Sequence, residues 1–147
     1  MKKRILSLLL GALAIGARAQ SNGPSSPKGP VITFQSQEHD YGTIPFGANG
    51  DCEFTYTNTG NDFLIITSCK SSCGCVVPRY DKNPLAPGKS AVMQVRYDTR
   101  RPGPFTKSVT VESNATNTPI VVLRIKGQVL PAPAEVVPTN RGIPLER

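Results

Sequence analysis

Between residues 31 and 130 apolar side chains recur at every second position, in short runs that stop at glycine, proline and asparagine. Cys52, Phe54 and Tyr56 alternate with Glu53, Thr55 and Thr57. Ala91, Met93, Val95 and Tyr97 alternate with Val92, Gln94 and Arg96, and Val121, Leu123 and Ile125 with Val122, Arg124 and Lys126. Successive side chains of an extended chain point to opposite faces, so this period marks strands with one face buried and one wet. The interruptions carry turn chemistry: Pro45 to Gly50, Asn58-Thr59-Gly60-Asn61-Asp62, Ala86-Pro87-Gly88 and Arg101-Pro102-Gly103-Pro104. Proline presets φ and glycine tolerates the positive φ that tight turns demand.

The pattern predicts strands over 31–35, 39–44, 52–58, 63–69, 74–80, 90–98, 105–113 and 119–129. Seven or eight short strands in a unit of about a hundred residues, with turn signals roughly every ten, fit an all-β fold: an immunoglobulin-like β-sandwich of antiparallel strands. A small barrel is the alternative. The chain has no Trp, so the Cys-Trp-Cys pattern of antibody domains is missing.

The ends read differently. Residues 1–19 carry a basic start (Lys2, Lys3, Arg4), an apolar run from Ile5 to Ala17 and a small-x-small site at Ala17-Arg18-Ala19. That is the layout of a secretory signal peptide, and the run is short of the roughly 20 residues that span a bilayer. No cysteine lies near the cleavage site, which argues against a lipid anchor, and no membrane span is expected after cleavage. Residues 20–30, rich in Pro, Gly and Ser, read as a disordered linker. Residues 131–147, with four prolines, read as an extended tail. The folded domain is therefore expected over 31–130.

Export reshapes the charge argument. Removing Lys2, Lys3, Arg4 and Arg18 from 17 basic residues leaves 13 against 10 acidic ones. So small an excess, with no basic cluster, is no footprint for nucleic acid; Arg96, Arg100, Arg101 and Lys107 read as a solvated strand face. An oxidising destination, periplasmic or extracellular, makes the four cysteines disulfide candidates first.

Three of those cysteines, Cys69, Cys73 and Cys75, fall within seven positions. In a straight strand Cys73 and Cys75 would point to one face with Cα atoms roughly 6.5 to 7 Å apart, at the long end of what a disulfide accepts. Gly74 would let the backbone pinch, and the bond would be strained and easily reduced. Three readings stay open: a tight structural disulfide or two buried thiols; a redox dithiol, although the thioredoxin-type spacing and its helix are missing; and a soft-metal site for Cu(I), with Cys69 or His39 as a further ligand. A lone histidine makes zinc a poor fit.

His39 has no second histidine or nucleophile-type serine with which to build a triad, and reads as a hydrogen-bonding residue at a strand edge. The acidic residues are scattered over turns and strand ends without forming a carboxylate pair or calcium loop. No cofactor is implied. Asn114-Ala115-Thr116 matches a glycosylation acceptor.

Several motifs together resemble a known family. Asp40-Tyr41-Gly42, Asn58-x-Gly60, Cys73-Gly74-Cys75, Pro87-Gly88, Gly103-x-Phe105 and Ser113-Asn114 look like those of bacterial exported domains of unknown function, similar in fold to Hydin-like and major-sperm-protein-like immunoglobulin modules. The likeness covers about 38–115. It implies a non-catalytic β-sandwich and supplies no activity. This chain departs from the family pattern by adding Cys52 and Cys69, and by Val76 where threonine is common.

The extra pair suggests its own bridge. If the Asn58–Asp62 turn closes a hairpin, Asn58 faces Phe63, Tyr56 faces Ile65 and Cys52 faces Cys69; if the two strands sit in different sheets, the two cysteines still emerge at the same end of both. A Cys52–Cys69 disulfide is the favoured one of the three pairings that four cysteines allow. Its loop would stabilise the fold by about 3 kcal/mol. The expectation is thus an exported, non-enzymatic sandwich that works through protein or cell-surface contacts, its partner unidentified. The rival is a thiol redox or copper-handling protein acting through Cys73 and Cys75.

Overall fold

The computed structural model describes residues 28–134. The expected signal peptide, most of the 20–30 linker and most of the 131–147 tail lie outside the described residues. Eight strands follow in order: β1 (Ile32–Phe34), β2 (Glu38–Ile44), β3 (Asp51–Asn58), β4 (Ile66–Ser71), β5 (Val76–Arg79), β6 (Ser90–Tyr97), β7 (Gly103–Ser113) and β8 (Ile120–Val129). They form two four-stranded sheets, ordered β1-β3-β6-β5 and β2-β8-β7-β4. The fold is an all-β sandwich. One pairing departs from the expected antiparallel set: β2 runs parallel to β8, with His39 opposite Ile125 and Ile44 opposite Val129. Parallel neighbours need a long crossover, and here the rest of the sandwich supplies it.

The period-two residues face each other across the interior. Phe54, Tyr56, Met93, Val95 and Tyr97 from the first sheet meet Val109, Val111, Val121, Leu123 and Ile125 from the second, all buried. The rings of Tyr97 and Phe105 stack with centroids 3.9 Å apart, joining the sheets at one end. The outward positions Glu53, Gln94, Arg96, Arg124 and Lys126 stay in or near water, and charges pair there: Asp51 with Arg96, Asp98 with Arg101, Glu38 and Asp40 with Lys126. Arg96 stands on the wet face of β6, as expected, whereas Arg100 and Arg101, expected on a strand face, lie in the turn between β6 and β7.

The β3–β4 connection differs most from expectation. No hairpin forms: β3 and β4 lie in different sheets, and the chain crosses between them over residues 59–65. Asn58 drives the crossing. Fully buried, its Oδ1 accepts from the backbone N–H of Val31 (3.3 Å) and Gly60 (3.1 Å), and its Nδ2 donates to the carbonyls of Asp62 (2.7 Å) and Leu85 (2.9 Å). That uses the full donor and acceptor capacity of a carboxamide. Gly60 is obligatory beside it, because a Cβ there would lie 2.2 Å from the Gly29 carbonyl oxygen.

Crossing sheets also shifts the parity of the segment. Leu64 and Ile66 are buried while Phe63 and Ile65 are exposed, the reverse of the hairpin register. A slip of one residue exchanges every side chain between faces. An irregularity between Ile66 and Ser68 then restores the parity, turning Cys69 inward.

The fold begins slightly earlier than expected. Gly29 N–H donates to Asn61 Oδ1 and the Pro30 carbonyl accepts from Thr116 N–H, so the last residues assigned to the linker are part of the sandwich.

Candidate functional site

Most of the sequence motifs have a structural task. Asp40 Oδ1 accepts from the Gly42 N–H, Gly42 takes a φ of 61°, and the Tyr41 hydroxyl donates to the Gly50 carbonyl at 2.7 Å. Gly88, at φ 72°, donates its N–H to the Asn58 carbonyl. Asn114 Oδ1 accepts from Ile65 N–H and its Nδ2 donates to the Phe63 carbonyl, pinning the crossing segment to the end of β7. A side-chain amide committed in this way is a tether, which disfavours the glycosylation reading of Asn114-Ala115-Thr116.

Cys73-Gly74-Cys75 is different. It occupies the turn between β4 and β5, where the chain passes from one sheet to the other. Cys73 and Cys75 are joined by a disulfide with Cα atoms 5.2 Å apart. That is shorter than the straight-strand expectation because the segment bends, bringing the Cα separation into the ordinary disulfide range. Strain from an over-long span is therefore absent. A Cβ on Gly74 would meet nothing within 4 Å, so Gly74 answers no need for close packing.

The bond is anchored but contributes little to the fold. Ser71 Oγ donates to the Cys73 carbonyl, Ser72 N–H to the Ser108 carbonyl, and Asp98 N–H to the Cys75 carbonyl. These bonds hold the turn whether or not the sulfurs are joined. On the chain-entropy relation a three-residue loop contributes only about 1.6 kcal/mol, against about 3 for a loop from 52 to 69.

The two sulfur-bearing residues differ in access: Cys73 is half-buried, Cys75 only 7% exposed. Beside Cys75 runs an open groove of about 430 Å³, lined by Gly74, Cys75 and Val77, by Gly47–Gly50 and by Arg96–Arg100. Arg96 is held in a two-pronged pair with Asp51, 2.6 and 2.9 Å, which keeps the Asp51 carboxyl below its usual range. Arg100 lines the groove as well.

Cys52 and Cys69 are free thiols, so the favoured Cys52–Cys69 bridge is corrected. The bridge was expected with β3 and β4 either in one hairpin or in different sheets; they lie in different sheets, and the two thiols remain unbonded. Cys52 sits in β3 opposite Val95, near Tyr41; Cys69 sits in β4, its Sγ 3.9 Å from Met93 Sδ. Burial raises both thiols, Cys69 to about 12, which keeps them protonated and poorly nucleophilic. Burial likewise raises Tyr41.

The alternative copper set of Cys69, Cys73, Cys75 and His39 is not assembled. His39 stands on β2, at the opposite edge of its sheet from β4, its ring edge-on to Tyr41 at 4.5 Å. Among the described residues no three His, Cys, Asp or Glu side chains converge as metal ligands. Among them, too, no helix is long and apolar enough to cross a membrane.

Comparisons with known proteins set this geometry in context. A protein of unknown function from Porphyromonas gingivalis W83 superposes with a TM-score of 0.62 at 17% identity, over 73% of this chain and 51% of that one. The PapD-like domain 7 of human CEP192 superposes with a TM-score of 0.58 at 12% identity, over 90% of this chain and all of that one. The Vibrio cholerae VesB protease gives 0.53 at 21% identity, over 66% of this chain and 31% of that chain. The chain thus spans about half of the P. gingivalis protein and under a third of the protease, and at these identities the likeness is one of fold. No curated protein matches the sequence. Residues 32–129, from the first strand to the last, match the family described as "Protein of unknown function (DUF1573)", and the chain belongs to that family.

Proposed function

We propose that the protein is an exported, non-enzymatic β-sandwich module that binds other polypeptides in the cell envelope or outside the cell. The observation that carries this reading is the pair of open edges on the second sheet. β2 and β4, seven and six residues long, each pair with a sheet neighbour on one side only. A row of unpaired backbone donors and acceptors is the template on which an extended partner strand adds. Glu38, Asp40 and Lys70, all exposed, punctuate these edges with charge and restrict pairing to complementary partners. Export itself rests on the basic, apolar and small-residue layout of residues 1–19.

Photo-crosslinkers placed at Asp40 and Lys70 in the exporting cell test the binding surface. Discrete adducts at the edges, with none at Val92 on the outer face of the other sheet, are expected. An absence of adducts at both edges would overturn edge binding. N-terminal sequencing of the mature chain should begin at Gln20.

A second reading, thiol–disulfide chemistry at Cys73 and Cys75, is favoured by one observation: their bond is formed in an accessible turn that the fold does not need it to close. The copper-handling form of that reading lacks converging ligands among the described residues.

A further inference from the structure

The two edges of the second sheet differ in what their outward backbone groups already bond. Resting on the edge-binding reading, we propose that β4 and not β2 takes the partner strand, and that the partner is an acidic polypeptide segment lying antiparallel beside Cys69 and Ser71.

On β2 the outward groups are taken. The Gln37 carbonyl accepts from the Arg124 N–H on β8, so in this parallel ladder Glu38 turns its own N–H and carbonyl away from the sheet. The Ser36 hydroxyl fills both, donating to the Glu38 carbonyl at 2.7 Å and accepting from the Glu38 N–H at 3.2 Å. Further along, Asp40 Oδ1 takes the Gly42 N–H, and Gly42, at φ 61°, sits in the irregularity between Asp40 and Thr43 that breaks the ladder. Caps and bends of this kind keep an edge from pairing.

On β4 there are no such caps. Ser72 N–H donates to the Ser108 carbonyl, which fixes the phase of the antiparallel ladder: Lys70 turns its backbone groups to β7, and Cys69 and Ser71 turn theirs to the edge. Among the described residues nothing bonds those outward groups of Cys69 and Ser71. One stretch of chain already adds to this edge in the antiparallel sense. Leu64 and Leu85 exchange both backbone bonds, at 3.0 and 2.8 Å, and the ladder then stops. A partner strand resumes it at Cys69.

Charge selects the partner. Lys70 stands on the outer face of β4 with its side chain 71% exposed. Beside Ser72 a depression of about 280 Å³ is lined by Lys107 and Arg124 and by no acidic residue. Among the described residues Glu112 pairs with Lys70, while Lys107 and Arg124 make no ion pair. Carboxylates on an added strand complement this excess of cations.

Amide hydrogen exchange of the mature chain, read residue by residue by NMR, tests both choices with two short blocked peptides, one alternating valine with glutamate and the other valine with lysine. The glutamate peptide should slow exchange at Cys69 and Ser71 and leave Glu38 and Gly42 unchanged. It should bind about fivefold more tightly than the lysine peptide, the size of effect that one cross-strand charge pair supplies. Lys70→Glu should abolish that preference with an unchanged far-UV spectrum, because the pair it loses with Glu112 lies in solvent. The crosslinking adducts expected at the sheet edges would then fall at Lys70 rather than Asp40. Slowing at β2 in place of β4 would overturn the choice of edge and leave edge binding standing. Equal binding of the two peptides would overturn the acidic partner. Protection of Cys69 and Ser71 before any peptide is added would mean that the chain itself, through its tail or a second copy, covers the edge, and would overturn an outside partner. No slowing at either edge with either peptide would overturn strand addition altogether.

Discussion

Replacing Asn58 by alanine should be among the most destabilising single changes the sandwich can suffer. Its buried carboxamide makes four hydrogen bonds, to Val31, Gly60, Asp62 and Leu85, joining the chain before β1, the crossing segment and the strand-like stretch around Leu85. A net value of about 1 kcal/mol for each bond gives about 4 kcal/mol, and donors or acceptors stranded away from water push the loss upward. Against a total stability of about 5 to 15 kcal/mol for a domain, that is a large share. Urea unfolding of the mature chain followed by far-UV circular dichroism measures it directly. At about 4 to 8 °C per kcal/mol the thermal midpoint should fall by about 15 to 30 °C. Asn61→Ala, which removes one exposed bond to Gly29 N–H, is the control and should lose less than about 1 kcal/mol. An Asn58→Ala protein within about 1 kcal/mol of the parent would refute the argument that this side chain organises the crossing.

Joint replacement of Cys73 and Cys75 by serine should lower stability by no more than about 2 kcal/mol in the same assay, since so short a loop constrains the unfolded chain weakly; a larger loss would make the bond a structural staple. Gly60→Ala should be severe, its Cβ meeting the Gly29 carbonyl at 2.2 Å, whereas Gly74→Ala should be nearly neutral, as midpoints from thermal melts will tell. Alkaline pH should weaken the fold. Burial raises Cys69 from an ordinary value of 9.0 to about 12, so the protonated thiol favours the folded state. That contribution is complete below pH 9 and is lost as pH climbs from 9 toward 12, with Cys52 shifted in the same direction. Urea midpoints should be steeper in pH across that window for the parent than for Cys69→Ala, which has no thiol to ionise.

The strands were legible because alternation survives without knowledge of partners. Met93, Val95 and Tyr97, or Val121, Leu123 and Ile125, are buried by a pattern visible in one dimension. Which strands pair was less legible. The run from Phe63 to Cys69 offers two apolar parities, and the hairpin reading chose Phe63 and Ile65 where the structure buries Leu64 and Ile66. The signal that could have decided it is Asn58, an inward position of β3 occupied by a side chain that must be fully hydrogen bonded. The parallel β2–β8 pairing left no trace in the sequence, because it depends on where the crossover ends.

The cysteine motif was legible as a unit, but its neighbours were not. The sequence left the state of Cys73 and Cys75 open, because the bend that brings their Cα atoms to 5.2 Å is not written in the spacing; that Gly47–Gly50 and Asp98–Arg100 come to lie near Cys75 depends on the packing of loops far apart in sequence. The same distance in sequence hid the isolation of His39, three strands away from β4 in its sheet.

Mass mapping of the cysteines in the native, exported chain tests the central claim most directly. The account predicts a linked Cys73–Cys75 peptide, with Cys52 and Cys69 alkylated only after unfolding. A linked Cys52–Cys69 peptide, or Cys73 and Cys75 joined to other cysteines, would contradict it.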